Sequence, residues 1–247
     1  MGEIGIFGIR IHPLSKVDFL SIIESNMENG YQIVQSGINA ASIVEIVNNE
    51  QFRMAIRNSN LVNVDGMSVV WALRFLGYRI PERVPCPDLA ESILTLANSR
   101  HYSVFLLGAK EPCLLSCRKN LEARYPNLRI VGLHNGYFKD EDELKIVNMI
   151  NKEKPDILLL GMPSPKKELF INKTKNLLYV KYCLGVGGFF DILSGSKKRA
   201  PVWMQRIGME WFYRFIQEPR RMWKRYLIGN TLFIWLVIKE KFKLNKV

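Results

Sequence analysis

Histidine and cysteine are scarce in this chain, three of one and four of the other among 247 residues. Cys86, Cys113, Cys117 and Cys183 lack the spacing of a zinc site, and His12, His101 and His134 are too dispersed to complete one. Reduced thiols in a cytoplasmic protein are the expectation. Long apolar runs are missing too. The longest nearly uncharged stretch of the C-terminal tail, residues 226–238, is 13 residues and too short to span a bilayer. Residues 1–13 show neither a basic n-region nor a continuous apolar h-region, so no secretory signal is expected there. No segment matches GxxxxGK[ST] or a clean GxGxxG, which removes the main support for a P-loop NTPase or a standard dinucleotide dehydrogenase.

What the chain does have is positive charge, and it is unevenly placed. The formal charge is +12, yet residues 197–247 hold 13 Lys or Arg against three acids, a net of +10. The hydrophobic content of 48% excludes a disordered chain. Apolar runs at YQIVQSGI, LVNVD, SVFLLGA, LRIVGLHN, DILLLGM and YVKYCLGVGG alternate with helically patterned segments. That alternation predicts an α/β fold with a mostly parallel sheet covered by helices on both faces. The division expected is a body over 1–196 and a basic, Trp-rich appendage over 197–247.

Asp65 stands where LVNV hands over to the helical MSVVWALRFL, the position at which α/β proteins hold ligands. It reads either as a general base at the end of a central strand or as the N-cap of the helix that follows. Asn39 ends QSGIN at a similar junction and reads as a neighbour of Asp65 or as a cap. Arg83 and Asp88 in PERVPCPDL follow a proline-rich turn able to close over a site. Gly108, Gly161, Gly185, Gly187 and Gly188 end strands, where glycine makes a tight turn or lets backbone N–H groups meet a phosphate. Lys166 and Lys167 in GMPSPKKELF are expected at a helix start, a place where cations are unfavourable unless an anion joins them.

The tail carries Trp203, Trp211, Trp223 and Trp235 among its arginines. Nucleic-acid binding, docking on a partner subunit and attachment to an anionic leaflet compete here. The helical pattern disfavours a stacking platform for bases, and a surface-lying amphipathic attachment fits best.

Taken in order, VDGMSVVWALRFLG, PERVPCPDL, FLLGA, NGYF, GMPSPKKE and GVGGFFDILSGSKKRAPVWMQRIGMEWFYRFIQEPRR resemble the WecG/TagA/CpsF family of bacterial glycosyltransferases. The resemblance runs from about Ile4 to Leu227. It implies a Rossmann-like body with a helical, membrane-docking appendage at the cytoplasmic face of the membrane. It further implies transfer of an N-acetylmannosamine-type sugar from a UDP donor to a polyprenyl-diphosphate-linked sugar, with inversion, no metal and no cofactor, in cell-surface polysaccharide synthesis. Asp65 falls on the family's general base. The matching motifs bring Asn39, Arg83, Asp88, Gly108, Ala109, Gly136, Tyr137, Phe138, Gly161, Pro163, Lys166, Lys167, Glu168, Gly185, Gly187, Gly188 and Asp191 to the substrate site. Arg214, Arg220, Arg221, Lys224 and Arg225 are brought to the acceptor and membrane side. No nucleic acid is expected as partner, and apolar surface near the appendage leaves a homo-oligomer open.

Two departures alter the expected lining of the sugar pocket. Gly37-Ile38-Asn39 stands where the family usually has Thr-x-Asn, and Pro165-Lys166-Lys167-Glu168 replaces PKQE. The donor is therefore expected to be N-acetylmannosamine or a uronic acid relative, with Lys167 pairing with an extra negative charge, either a uronate carboxylate or the diphosphate. The alternative is a catalytically reduced, UDP-binding scaffold of a polysaccharide assembly complex.

Overall fold

The computed structural model of the chain describes residues 2–244, except the side chains of Arg221, Lys224 and Arg225. The described residues form eight strands: β1 (Ile4–Ile6), β2 (Ile9–Ile11), β3 (Ile33–Ile38), β4 (Leu61–Val64), β5 (Ser103–Gly108), β6 (Arg129–His134), β7 (Ile157–Gly161) and β8 (Tyr182–Gly185). Six of them form one sheet in the order β4-β3-β8-β7-β5-β6, and every pairing in it is parallel.

The apolar runs come from burial on both faces. Along β5, Val104 and Leu106 join one core with Ile93, Leu114 and Phe190, while Phe105 and Leu107 join another with Ile146 and Phe170. Each strand alternates sides, so a sheet covered twice leaves few positions for polar residues. A third core lies beyond β4, where the β1–β2 hairpin, the Ala40–Asn48 helix and the Met67–Phe75 helix bury Ile11, Ile43, Ile46 and Leu73.

The C-terminal helix Gly229–Leu244 returns to that third core and inserts Phe233, Leu236 and Val237. Before it come short helices at Val202–Arg206, Glu210–Gln217 and Pro219–Trp223 and a π turn at Lys224–Ile228. Gly208, at φ +76°, lies against the Met67–Phe75 helix, with room for no side chain between it and Met67 or Trp71.

One expectation is corrected here. β4 is an edge strand, not a central one, because β8 enters on the far side of β3. The exposed edge is closed by His12. Its N–H donates to the Val62 carbonyl at 3.0 Å, and its Nδ1 accepts the Val62 N–H at 3.0 Å. The hairpin that delivers His12 is short and turns through Phe7 and Gly8, both at positive φ.

Chain direction opens the crevice. From β3 the chain moves outward to β4, whereas from β5 it moves outward to β6 at the opposite edge, and β7 and β8 fill the middle. Connections diverging toward opposite edges of the sheet leave a gap above the C-terminal ends of its strands.

Candidate active site

That gap is a cavity of about 440 Å³ roofed by the appendage. Its floor holds Gly37, Asn39, Asp65, Cys86, Lys167 and Gly185, and its roof includes Lys197, Arg199, Glu210, Arg214 and Tyr226. The ends of β3, β4 and β8 thus meet one ligand-sized space.

Asp65 does not cap the helix that follows it. Gly66 is the N-cap there and offers no side chain, so the carboxylate is released for another contact. Oδ1 of Asp65 accepts the backbone N–H of Cys86 at 2.8 Å, at the start of the 15-residue helix Cys86–Arg100. Among the described residues Oδ2 receives only a long contact from Asn39 Nδ2, at 3.4 Å. A carboxylate at a helix N-terminus is stabilised by the unpaired N–H groups and the helix dipole. One oxygen is therefore anchored and the other is available at the cavity wall.

Asn39 serves both readings at once. Its Oδ1 accepts the Ser42 N–H at 3.2 Å as N-cap of the Ala40–Asn48 helix, which turns Nδ2 toward Asp65. Gly66 permits the approach, since a Cβ there would stand 2.9 Å from Asn39 Cβ.

Ion pairs join body to appendage. Arg199 binds Asp88 and also Glu210 at 3.3 Å, and Glu210 holds Arg83 at 3.3 Å. Lys197 bridges Asp191 at 2.8 Å and Glu218 at 3.1 Å. These groups are only partly exposed, so water screens them less than a surface pair. Arg214 also lines the cavity, its guanidinium beside Gly188. Lys197, Arg199 and Glu210 were not singled out from the sequence. Their only signal was a place inside the SKKRAP and GMEWFYRF blocks.

The two lysines of PKK diverge. Lys167 lays its methylenes across Gly185, where a Cβ would come within 2.6 Å, and its ammonium pairs with Glu168 at the cavity. Lys166 points away, donating to the carbonyls of Gly136 at 3.1 Å and Phe138 at 2.8 Å and lying over the Phe138 ring. Successive helical residues differ by about 100° in direction, which sends neighbours to different sides.

Several expected site residues lie outside this cavity. Gly108 and Gly161 are consumed by packing: a Cβ on the first would meet the backbone of the second at 2.4 Å, and one on Gly161 would meet the Phe190 ring at 2.2 Å. Ala109 and Gly136 are hydrogen-bonded into the same tight turn, Tyr137 is exposed, and Phe138 packs on Phe170. Glu168 is buried behind Lys167, and Asp88 contacts the site through Arg199. Pro163, Gly187, Gly188 and Asp191 do line the cavity. Arg220 is exposed away from it, and Arg221, Lys224 and Arg225 have side chains outside the described residues. Among the described residues no three His, Cys, Asp or Glu side chains converge as metal ligands, and no helix is long and apolar enough to cross a membrane.

Residues 4–247 match the profile of the glycosyl transferase WecG/TagA/CpsF family. An N-acetylglucosaminyldiphosphoundecaprenol N-acetyl-beta-D-mannosaminyltransferase of Bacillus subtilis (strain 168) is 32% identical over 210 residues, 85% of this chain and 81% of the relative. Relatives with the same printed name occur in Bacillus spizizenii, 29% identical over 94% of this chain and 93% of the relative, and in Staphylococcus aureus (strain MW2), 33% identical over 82% and 80%.

Proposed function

This chain belongs to the WecG/TagA/CpsF family of glycosyltransferases, and from that premise we propose that it transfers N-acetylmannosamine, or its uronic acid relative, from a UDP donor to a polyprenyl-diphosphate-linked sugar, inverting the anomeric centre without a metal. The observation that carries the reading is the Asp65 carboxylate, anchored through one oxygen and open through the other at the cavity that body and appendage share.

In the proposed step Oδ2 of Asp65 takes the proton of the acceptor hydroxyl as that oxygen forms a bond to the anomeric carbon. The bond from that carbon to the UDP oxygen breaks on the opposite face, and the electron pair leaves with UDP. General base catalysis contributes roughly 10²–10⁴ in rate. Charge growing on the diphosphate is met by Arg214 and by the N–H groups of the Gly187-Gly188 turn, an arrangement of fixed donors that favours the transition state, while Lys167 helps to hold the donor before and during the step.

The acceptor arrives on a lipid, and the surface around the roof suits a peripheral attachment to an anionic leaflet. Trp71, Phe75, Trp203 and Ile207 are each more than half exposed. Apolar surface of this extent marks a docking face, and each Lys or Arg near an anionic bilayer adds about 1 kcal/mol.

The test is product formation from UDP-N-acetylmannosamine, and separately from its uronate, on an N-acetylglucosamine-diphosphate-polyprenyl acceptor in anionic vesicles with chelator present. Lipid-linked disaccharide and free UDP are expected in equal amounts. Absence of product from both donors refutes the activity, and product only after a divalent cation is added refutes the metal-free step.

A further inference from the structure

Beneath the cavity floor a run of buried polar groups ends at Asp65. Tyr182 donates its hydroxyl to Gln35 Oε1 at 2.8 Å, and Gln35 Nε2 donates to Asn63 Oδ1 at 3.0 Å. Asn63 Nδ2 then donates to the Val84 carbonyl at 2.7 Å and stands 3.7 Å from Cys86 Sγ. Tyr182, Gln35 and Asn63 have no exposure at all, so the direction of each amide is dictated by its partners. Cys86 closes the run through its own N–H, the one that anchors Asp65.

The Cys86 thiol stands in space that would otherwise belong to a side chain on β3. A Cβ on Gly37 would lie 2.1 Å from Cys86 Sγ, 3.2 Å from Asn63 Nδ2 and 3.3 Å from Asp65 Cβ. The first distance is impossible without movement. Cysteine has a single side-chain torsion, and here the thiol is walled in. Burial, and next the charge of Asp65, hold the thiol well above the usual cysteine range, so it remains a neutral SH resting on Asn63.

We infer that Gly37 and Cys86 are a size-exchanged pair that positions Asp65: the thiol fills the volume left by the missing side chain and thereby keeps the Cys86 N–H beneath the carboxylate. Cys86 is a positioning residue, acting through Asp65, and its role rests on the proposed reading of Asp65 as the base. Any side chain at 37 displaces the thiol or the Val84–Cys86 segment, and the carboxylate anchored to that segment moves as well. Removing Sγ reopens the space, so a change at one position is tolerated only with the opposite change at the other.

The full-length chain carrying Gly37→Ala, Cys86→Gly or both tests this, with melting temperature, kcat and donor KM measured for each. Cys86→Ala supplies a second partner should glycine at the helix start impair folding. A misplacement of about 1 Å costs on the order of 10² in rate. Gly37→Ala is therefore expected to lower kcat by about tenfold to a hundredfold with donor KM within about threefold, and the double variant to recover to within about threefold of the unaltered protein. Wild-type kcat in Gly37→Ala, or a double variant no faster than the slower single one, overturns the inference. So does a loss in kcat that only tracks the folded fraction. Melting temperatures read the pair independently of the reaction: strictly additive shifts overturn the size exchange even if the proposed activity is absent, whereas failure of the activity with non-additive shifts refutes the reading of Asp65 and with it the positioning role.

Discussion

Asp65→Asn separates the chemistry of the carboxylate from its part in the fold. The amide keeps an Oδ1 acceptor for the Cys86 N–H now held at 2.8 Å. It loses a negative charge at a helix N-terminus, about 0.3–1 kcal/mol. It also turns the 3.4 Å contact with Asn39 Nδ2 into donor against donor, a cost of about 1 kcal/mol. Together these predict a loss of about 1–2 kcal/mol, or roughly 2–8 °C in melting temperature for a chain of this size. The kinetic loss is larger. Removing a general base costs about 10²–10⁴ in turnover, equal to about 3–5 kcal/mol on the barrier. The assay is release of UDP and formation of lipid-linked product at matched folded concentration, with donor KM determined alongside. Turnover within tenfold of the unaltered protein refutes the assignment of Asp65, as does a fall explained wholly by unfolding.

His12 makes stability depend on pH. Burial pushes its pKa below the usual histidine range, against the pull of Glu3 and with some help from Arg10. The group is neutral when folded, so its contribution is fully present above about pH 6.5 and is lost as pH falls below that value, where the unfolded chain takes up the proton first. Melting curves from about pH 7.5 down to about pH 5.5 are expected to fall more steeply than those of His12→Asn, whose Oδ1 replaces the Nδ1 acceptor; parallel curves refute this. Lys167→Gln with Glu168→Gln removes the cation without stranding the buried acid, and donor KM is expected to rise about tenfold with kcat within about threefold. Unchanged KM and donor preference would exclude Lys167 from the donor site. Phe233→Ala empties a buried ring position between the last helix and the body, with an expected loss of about 3 kcal/mol, or roughly 6–12 °C, read by melting. A shift under about 2 °C would mean that this helix does not share the core.

Five of the six sheet strands were legible because both faces are buried, which turns each into an apolar run such as ILLLG or SVFLLG, whereas the edge strand β6 buries only Ile130. The hairpin went unread for the opposite reason: two strands of three residues joined at Phe7-Gly8 carry too little pattern. ASIVEIVNNEQFRMAIRNS reads as one helix, yet Asn49 ends one and caps the next. At the site, the junctions bearing Asn39 and Asp65 were readable from chain order alone. The Asp88–Arg199 pair, 111 residues apart, was not, because nothing local distinguishes an ion-paired arginine from a solvated one. Gly108 and Gly161 show how one residue type serves two ends: absence of a side chain that would admit a phosphate here admits a neighbouring strand and the Phe190 ring.

The charge pairing at the cavity bears on what a ligand meets. Asp191 and Glu218 are tied to Lys197, and Glu210 to Arg83 and Arg199, so these carboxylates are matched by cations of the protein. Asp65 is different: the described residues give it hydrogen bonds from a backbone N–H and an amide, and no ion pair. Arg214 likewise has no ion pair among the described residues. Lys197 and Arg199 of the tail are thus engaged in holding the roof on the body, while Asp65 and Arg214 face the cavity without an ion pair among the described residues. A neutral hydroxyl that must lose a proton and a diphosphate that gains charge as it leaves are complementary to those two groups. A uniformly cationic pocket would bind diphosphate equally before and after the step and would slow its release, whereas pairing most cations internally confines the attraction to the place where charge develops.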